Sequence, residues 1–289
     1  MQIKPWDNIR IYKVEHTLKV KEGLQVKESR ITFDMGISCN IKNGSIRKLF
    51  TRENCLINSK IPKEHHIRLL YELEQAIYPL EIEVNRYGNY EKIPGYALWF
   101  SNWQNKAEKI LKENYRGEFA ESLKNQLQEN LETEEKLKQK IQEEAFWRLY
   151  FFGMQNAQND KTLRWNVLKA GTLYFTGDVQ TSIEENKLIS VYGGKSEKPE
   201  ESFTENLNIL LRKKKNSKHY LMPGNIESSC MVKSVWEKDI GKLLYKASEI
   251  EVNSEDKNYL YSEKIEMKYQ GISIRKETNP KSFIVSRNK

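Results

Sequence analysis

Gly194-Lys195-Ser196 is the tripeptide with which a phosphate-binding loop ends. Such a loop wraps backbone amides around phosphates, aims a helix dipole at them, and needs a second glycine five residues upstream. That position is Ile189, and Glu197, Lys198 and Pro199 do not open an apolar-periodic helix. The tripeptide is therefore read as part of an exposed loop over 193–201. Glu64-His65-His66 is the histidine cluster of the chain. Neighbours on a helix point about 100° apart, so His65 and His66 do not converge on one metal ion. His16 and His219 meet only if the fold brings them together. There is no HExxH, no Gly-x-Ser-x-Gly elbow, and no CxxC among Cys39, Cys55 and Cys230. The carboxylate pairs Glu134-Glu135 and Glu143-Glu144 lie on a charged helical face, whereas general acid–base work needs a buried carboxyl with a raised pKa. These residue types and spacings predict no metal, no cofactor and no enzymatic activity.

Two further groups have the chemistry to bind. Arg212, Lys213, Lys214, Lys215 and Lys218 form the strongest basic run and are a candidate anion site. Like charges in a block repel and usually stay solvated, and Tyr220 alone is close enough to stack on a base, which argues against nucleic acid. The segments YALWFSNW and FWRLYFF carry more rings than one helical stripe can bury. Aromatic residues are enriched at interface hot spots, so Trp99, Trp103, Trp147 and Phe151 are candidates for contact with another protein.

The elements that must position these groups follow from periodicity. Residues 9–20 alternate with a phase switch near Tyr12, which predicts a bulge, and Val14, His16, Leu18 and Val20 share one face. Residues 24–35 continue in the same manner, with shorter β pieces at 37–41 and 46–50. Gly23, Gly36 and Asn43-Gly44 serve as turn signals. Residues 64–78 form a helical stripe through Leu69, Leu70, Leu73, Ala76 and Ile77 that Pro79 ends. A hairpin follows, turning at Arg86–Asn89. Residues 96–152 hold three apolar stripes, through Trp99–Leu111, Phe119–Leu131 and Leu137–Phe152. Gly117 breaks the first stripe from the second, and Thr133 is the N-cap of the third. From 162 onward the pattern returns to short strands, ambiguous only over 202–211. Tyr259, Tyr261, Glu263, Ile265, Met267 and Tyr269 make the cleanest alternation. The expected fold class is α+β: a large curved antiparallel sheet, or two sheets, with one helical insertion packed on a face, in the order β, α, β. The expected segments are 1–61, 62–156 and 157–289, the third forming one unit with the first.

Composition bounds the class of protein. The chain has 289 residues, 38% hydrophobic and 11% aromatic, enough for a sizeable core. Its net charge is +8. Residues 1–102 hold 16 basic and 12 acidic side chains, 103–160 hold 9 and 11, and 161–289 hold 23 and 17. Charge spread in this way favours solubility over a dedicated nucleic-acid face. No apolar stretch follows Lys4 as a signal peptide would require, and no run of about 18 apolar residues predicts a membrane span. Three cysteines without a close pair fit a reduced cytoplasm.

Residues 79–153 resemble a loose group of uncharacterised bacterial cytoplasmic proteins associated with type VI secretion gene neighbourhoods. The resemblance is carried by Pro79, Gly88, Trp103, Tyr115-Arg116-Gly117-Glu118 and the aromatic run Phe146 to Phe152. It is a packing pattern without catalytic residues. It implies an adaptor, chaperone or immunity-type accessory of a contractile secretion machine. The expected function is accordingly a non-enzymatic cytoplasmic protein-interaction module. The alternatives are a carrier of an apolar ligand in a cavity between sheet and helices, and a weak nucleic-acid binder through the 212–218 run.

Overall fold

The structure, a computed structural model, describes residues 8–42, 44–152, 162–168, 170–197, 199–211, 220–255 and 258–274. The β elements are β1 (Asn8–Glu22), β2 (Gln25–Lys42), β3 (Ser45–Ile57), β4 (Leu80–Val84), β5 (Tyr90–Lys92), β6 (Thr162–Val167), β7 (Gly171–Glu184), β8 (Lys187–Ser196), β9 (Ile226–Glu237), β10 (Lys242–Ser254) and β11 (Tyr259–Ile274). The α-helices are α1 (His65–Gln75), α2 (Tyr96–Asn114), α3 (Glu118–Glu129), α4 (Glu134–Glu143), α5 (Ala145–Phe151) and α6 (Glu201–Leu210). Among the described residues eleven strands form one sheet in the order β5-β4-β3-β2-β1-β11-β10-β9-β8-β7-β6.

This corrects the expected α+β class. There is one predominantly antiparallel sheet, and the helices do not form a single insertion between two β regions. Residues 80–92 show why. Val84 pairs with Ile46 and Leu80 with Phe50, so the hairpin inside the supposed helical unit is sheet. The ambiguous stretch 202–211 adds a further helix among the C-terminal strands. Phe203, Thr204, Leu207 and Asn208 are buried at helical spacing, and Asn208 exchanges two hydrogen bonds of 2.9 Å with the backbone of Leu221. A strand there would have exposed half of these side chains.

The chain divides into two compact units. The first comprises residues 1–14, 31–142 and 268–289; the second comprises 15–30 and 143–267. In the first unit, α1 to α4 bury Leu69, Leu73, Trp103, Leu111, Leu127, Leu137 and Ile141 together with Phe50, Leu80 and Ile82 of the strands. The Thr133 hydroxyl accepts from Lys136 N at 3.2 Å, so it caps α4 as the sequence predicts. The phase switch in β1 is real: Ile9 is buried, and burial resumes on Tyr12 and Val14. Gly36 is not a turn. It lies inside β2, where a Cβ would stand 2.3 Å from Thr51 Oγ1 and 2.8 Å from Ile9 Cγ2.

In the second unit the strands run long. β7 continues through Gly177, and β8 continues through Gly194-Lys195-Ser196, where a loop was expected. Lys195 pairs with Thr176 on one side and Ser229 on the other. No phosphate-binding geometry is possible for amides spent on two sheet neighbours. Gly177 faces Gly194 across the ladder, and a Cβ at 177 would come within 1.9 Å of the Gly193 carbonyl oxygen.

Candidate functional site

β6 and β11 stand at the ends of the run β11-β10-β9-β8-β7-β6, with four strands between them. A flat sheet would hold them about 24 Å apart, five spacings of roughly 4.8 Å. Yet Trp165 Nε1 on β6 donates to Glu263 Oε2 on β11 at 2.6 Å. This half of the sheet therefore curls strongly on itself. The rings of Trp165, Phe175, Tyr192, Tyr259 and Tyr261, all essentially inaccessible, fill the deep part of the curl.

Glu263 is the centre of a polar cluster in that interior. Its Oε1 faces His16 Nε2 at 2.8 Å, and Oε2 accepts from Trp165 and from the Tyr261 hydroxyl. Burial pushes the Glu263 carboxyl up, but the bonds from His16, Trp165 and Tyr261 and the charge of His16 outweigh it and hold it below the usual carboxylate range. Burial, reinforced by the neighbouring carboxylate, keeps the Tyr261 phenol protonated. Arg148 of α5 lies over the Trp165 ring, with its guanidinium carbon 4.5 Å from the centroid. Burial lowers the Arg148 pKa, while Glu263 opposes the shift. The Arg148 Nη2 donates to the Glu143 carbonyl, whereas Nε and Nη1 are buried without a hydrogen-bond partner. A carboxylate held by three donors cannot shuttle protons at low cost; it ties β1, β6 and β11 together.

A second polar group sits near the other end of α5. Lys246, 3% exposed, donates to the carbonyls of Tyr150 at 3.1 Å and Phe152 at 2.7 Å. Its ammonium thus meets the negative end of α5, where carbonyls lack helical partners. Next to it in register stands Ser234, which pairs in turn with Ser190, and Ser190 with Thr181. Ser248 follows Lys246 by two residues and shares its face. Ser234 and Ser248 are 0% and 1% exposed, and neither hydroxyl has a hydrogen-bond partner.

The residues singled out from sequence are placed as follows. Trp103 and Trp147 are buried, at 1% and 2% exposure, and Trp103 Nε1 donates to Leu73 O at 3.3 Å. Neither presents a surface to a partner. Trp99 and Phe151 are half-buried; Trp99 Nε1 donates to Ile77 O at 3.0 Å, and Phe151 stacks on Trp147. Trp99 and Trp103 belong to the first unit and Trp147 and Phe151 to the second. Arg212, Lys213, Lys214, Lys215 and Lys218 lie outside the described residues. Among the described residues no group of three or more His, Cys, Asp or Glu is arranged to hold a metal ion, and no helix is long and apolar enough to cross a membrane. Sequence reasoning missed Glu263, Arg148, Lys246, Ser234 and Ser248.

No family model matches the sequence, and no curated protein matches it either. Structural comparison aligns the chain with a solved structure described as lipid–protein interactions in lipovitellin. The identity is 10% and the TM-score 0.48, over 98% of this chain and 27% of that one. The chain spans about a quarter of the length of that structure, and a likeness at this score carries no argument about function.

Proposed function

We propose that the chain is a non-enzymatic binding protein that carries an apolar or amphipathic small molecule in the curled half of the sheet. The observation that carries this reading is the curl itself, closed by the Trp165–Glu263 bond and flanked by α5. Curled sheets with a helical cover are concave on an apolar face, which is what small-molecule sites require. The aromatic rings occupy the deep part, so the ligand end is the one where the β7–β8 and β9–β10 hairpins open. Native mass spectrometry of protein purified without detergent tests the reading. One equivalent of a co-purified apolar molecule is expected. An empty protein that also takes up no hydrophobic probe overturns it.

A protein partner is the second reading, favoured by Leu98 of α2 and Phe119 of α3, which are 69% and 63% exposed. Apolar side chains mark a partner surface where they gather into a patch, and are ordinary where they stand singly. L98D and F119D should each abolish a nuclease-resistant partner in a pull-down from native cytosol. Both readings are set in the cytoplasm. The role of adaptor, chaperone or immunity accessory in a contractile secretion machine belongs to the second reading and rests on the resemblance of residues 79–153.

A further inference from the structure

We propose that the inward face of β7–β10, beside the C-terminal end of α5, recognises the carboxylate head of a single-chain amphiphile such as a fatty acid. The inference rests on the carrier reading and names what would be carried and where its head would sit.

Two adjacent cross-strand rows define the site. The inner row is Thr181, Ser190, Ser234 and Lys246, joined by ladder pairing from β7 to β10, with Ser248 one step deeper. The Thr181 and Ser190 hydroxyls approach to 3.4 Å. Those of Ser234 and Ser248 are fully buried and bonded to nothing. The large majority of buried hydroxyls are satisfied, so two orphans beside one ammonium mark a place where an acceptor would be gained. The Lys246 charge makes the preferred acceptor an anion.

The outer row is Ile183, Leu188, Trp236 and Leu243, joined by the same ladders. It is apolar throughout and grades from Leu243, 5% exposed, to Ile183, 58% exposed. Four strands span about 14 Å, three spacings of roughly 4.8 Å. A polar row inside an apolar one inverts the usual order of a protein surface. A wholly polar ligand would leave the outer row wet, and a hydrocarbon would leave the hydroxyls orphaned. A carboxylate with one aliphatic tail satisfies both, its head at Ser234, Ser248 and Lys246 and its tail across Trp236 towards Ile183.

The test uses the full chain and dibromostearate, whose bromines quench nearby tryptophan. Titration should quench the Trp236 emission, and W236F should lose that component. Unbrominated stearate should compete at least tenfold better than its methyl ester, and K246M should abolish that preference. Because Lys246 also holds α5, the decisive variant is S234A/S248A, which removes only unbonded hydroxyls: its stearate affinity should fall at least fivefold with no loss of thermal stability. Stearate binding that ignores S234A/S248A and W236F overturns this site while leaving the carrier reading intact. Failure of the acid and the ester alike to bind, with nothing co-purified, overturns both.

Discussion

The Glu263 cluster and the Ser234–Lys246 row lie in the same curled half, yet they use burial in opposite ways. At Glu263 both carboxylate oxygens are met: His16 on one, Trp165 and Tyr261 on the other, with the Arg148 charge nearby. At Ser234 and Ser248 the hydroxyls are as deeply buried and meet nothing. A saturated network is rigid and leaves no place for a guest. An unsaturated one is held in place by the surrounding fold and gains when something arrives. The first is the anchor of the curl, and the second is the part of it able to recognise a ligand.

Removing the anchor should have the largest effect. E263A leaves three donors and a buried guanidinium uncompensated and should destabilise the protein by about 3–5 kcal/mol, the range for breaking a buried ion pair, read from the urea midpoint. A midpoint shift below about 1 kcal/mol would show that the cluster anchors nothing. W165F withdraws one donor from a charged acceptor and leaves a void where the larger indole stood, for a loss of at least about 1.5–3 kcal/mol. Acid should find the same anchor. The Glu263 carboxyl titrates below its ordinary value of about 4.3 in the folded state, so its stabilisation is complete above that pH and is lost as pH falls through the lower folded value. The stability difference between wild type and E263Q should therefore shrink steadily from about pH 5 downward; a constant difference would contradict the ionised form.

The smallest effect is expected where the contrast is sharpest. S234A and S248A should each leave stability within about 0.5 kcal/mol, or raise it, because a buried unbonded hydroxyl is a liability. A loss of 1 kcal/mol or more would mean that the hydroxyls are satisfied after all. Thiol labelling adds a local check on the same interior. Burial pushes the Cys230 thiol up to about 12, so it should stay unlabelled in native protein, while exposed Cys39 reacts.

Part of this was legible in the residues. His16 sits between Val14 and Leu18 on one face of β1, and Glu263 between Tyr261 and Ile265 on one face of β11. An ionisable side chain in the middle of an apolar alternation signals a buried polar site, and here two strands carry the signal. Their partnership was not legible, because it joins residues 247 positions apart through the neighbouring of the first strand with the last. Trp165 reaches the same carboxylate only because the sheet curls, and curl leaves no trace in a period of two. Lys246 and Ser248 were hidden for a local reason: the register of β10 shifts between Leu243 and Tyr245, which masks the alternation. The β-hairpin 80–92 is legible as strands in its alternation, but nothing in its length says which sheet it joins. Arg148 was not legible because the rings around it in FWRLYFF are the stronger signal.

The glycines of β7 and β8 bear on how this sequence can vary over time. At Gly193 an added Cβ would meet nothing within 4 Å, while at Gly177 it would collide with the backbone of the next strand. Two residues that look interchangeable by composition thus have very different mutational latitude. In a saturation library selected for folding, position 193 should accept many codons and position 177 only those for glycine. A lineage that loses Gly177 would have to respace two strands at once, a change that single substitutions do not reach.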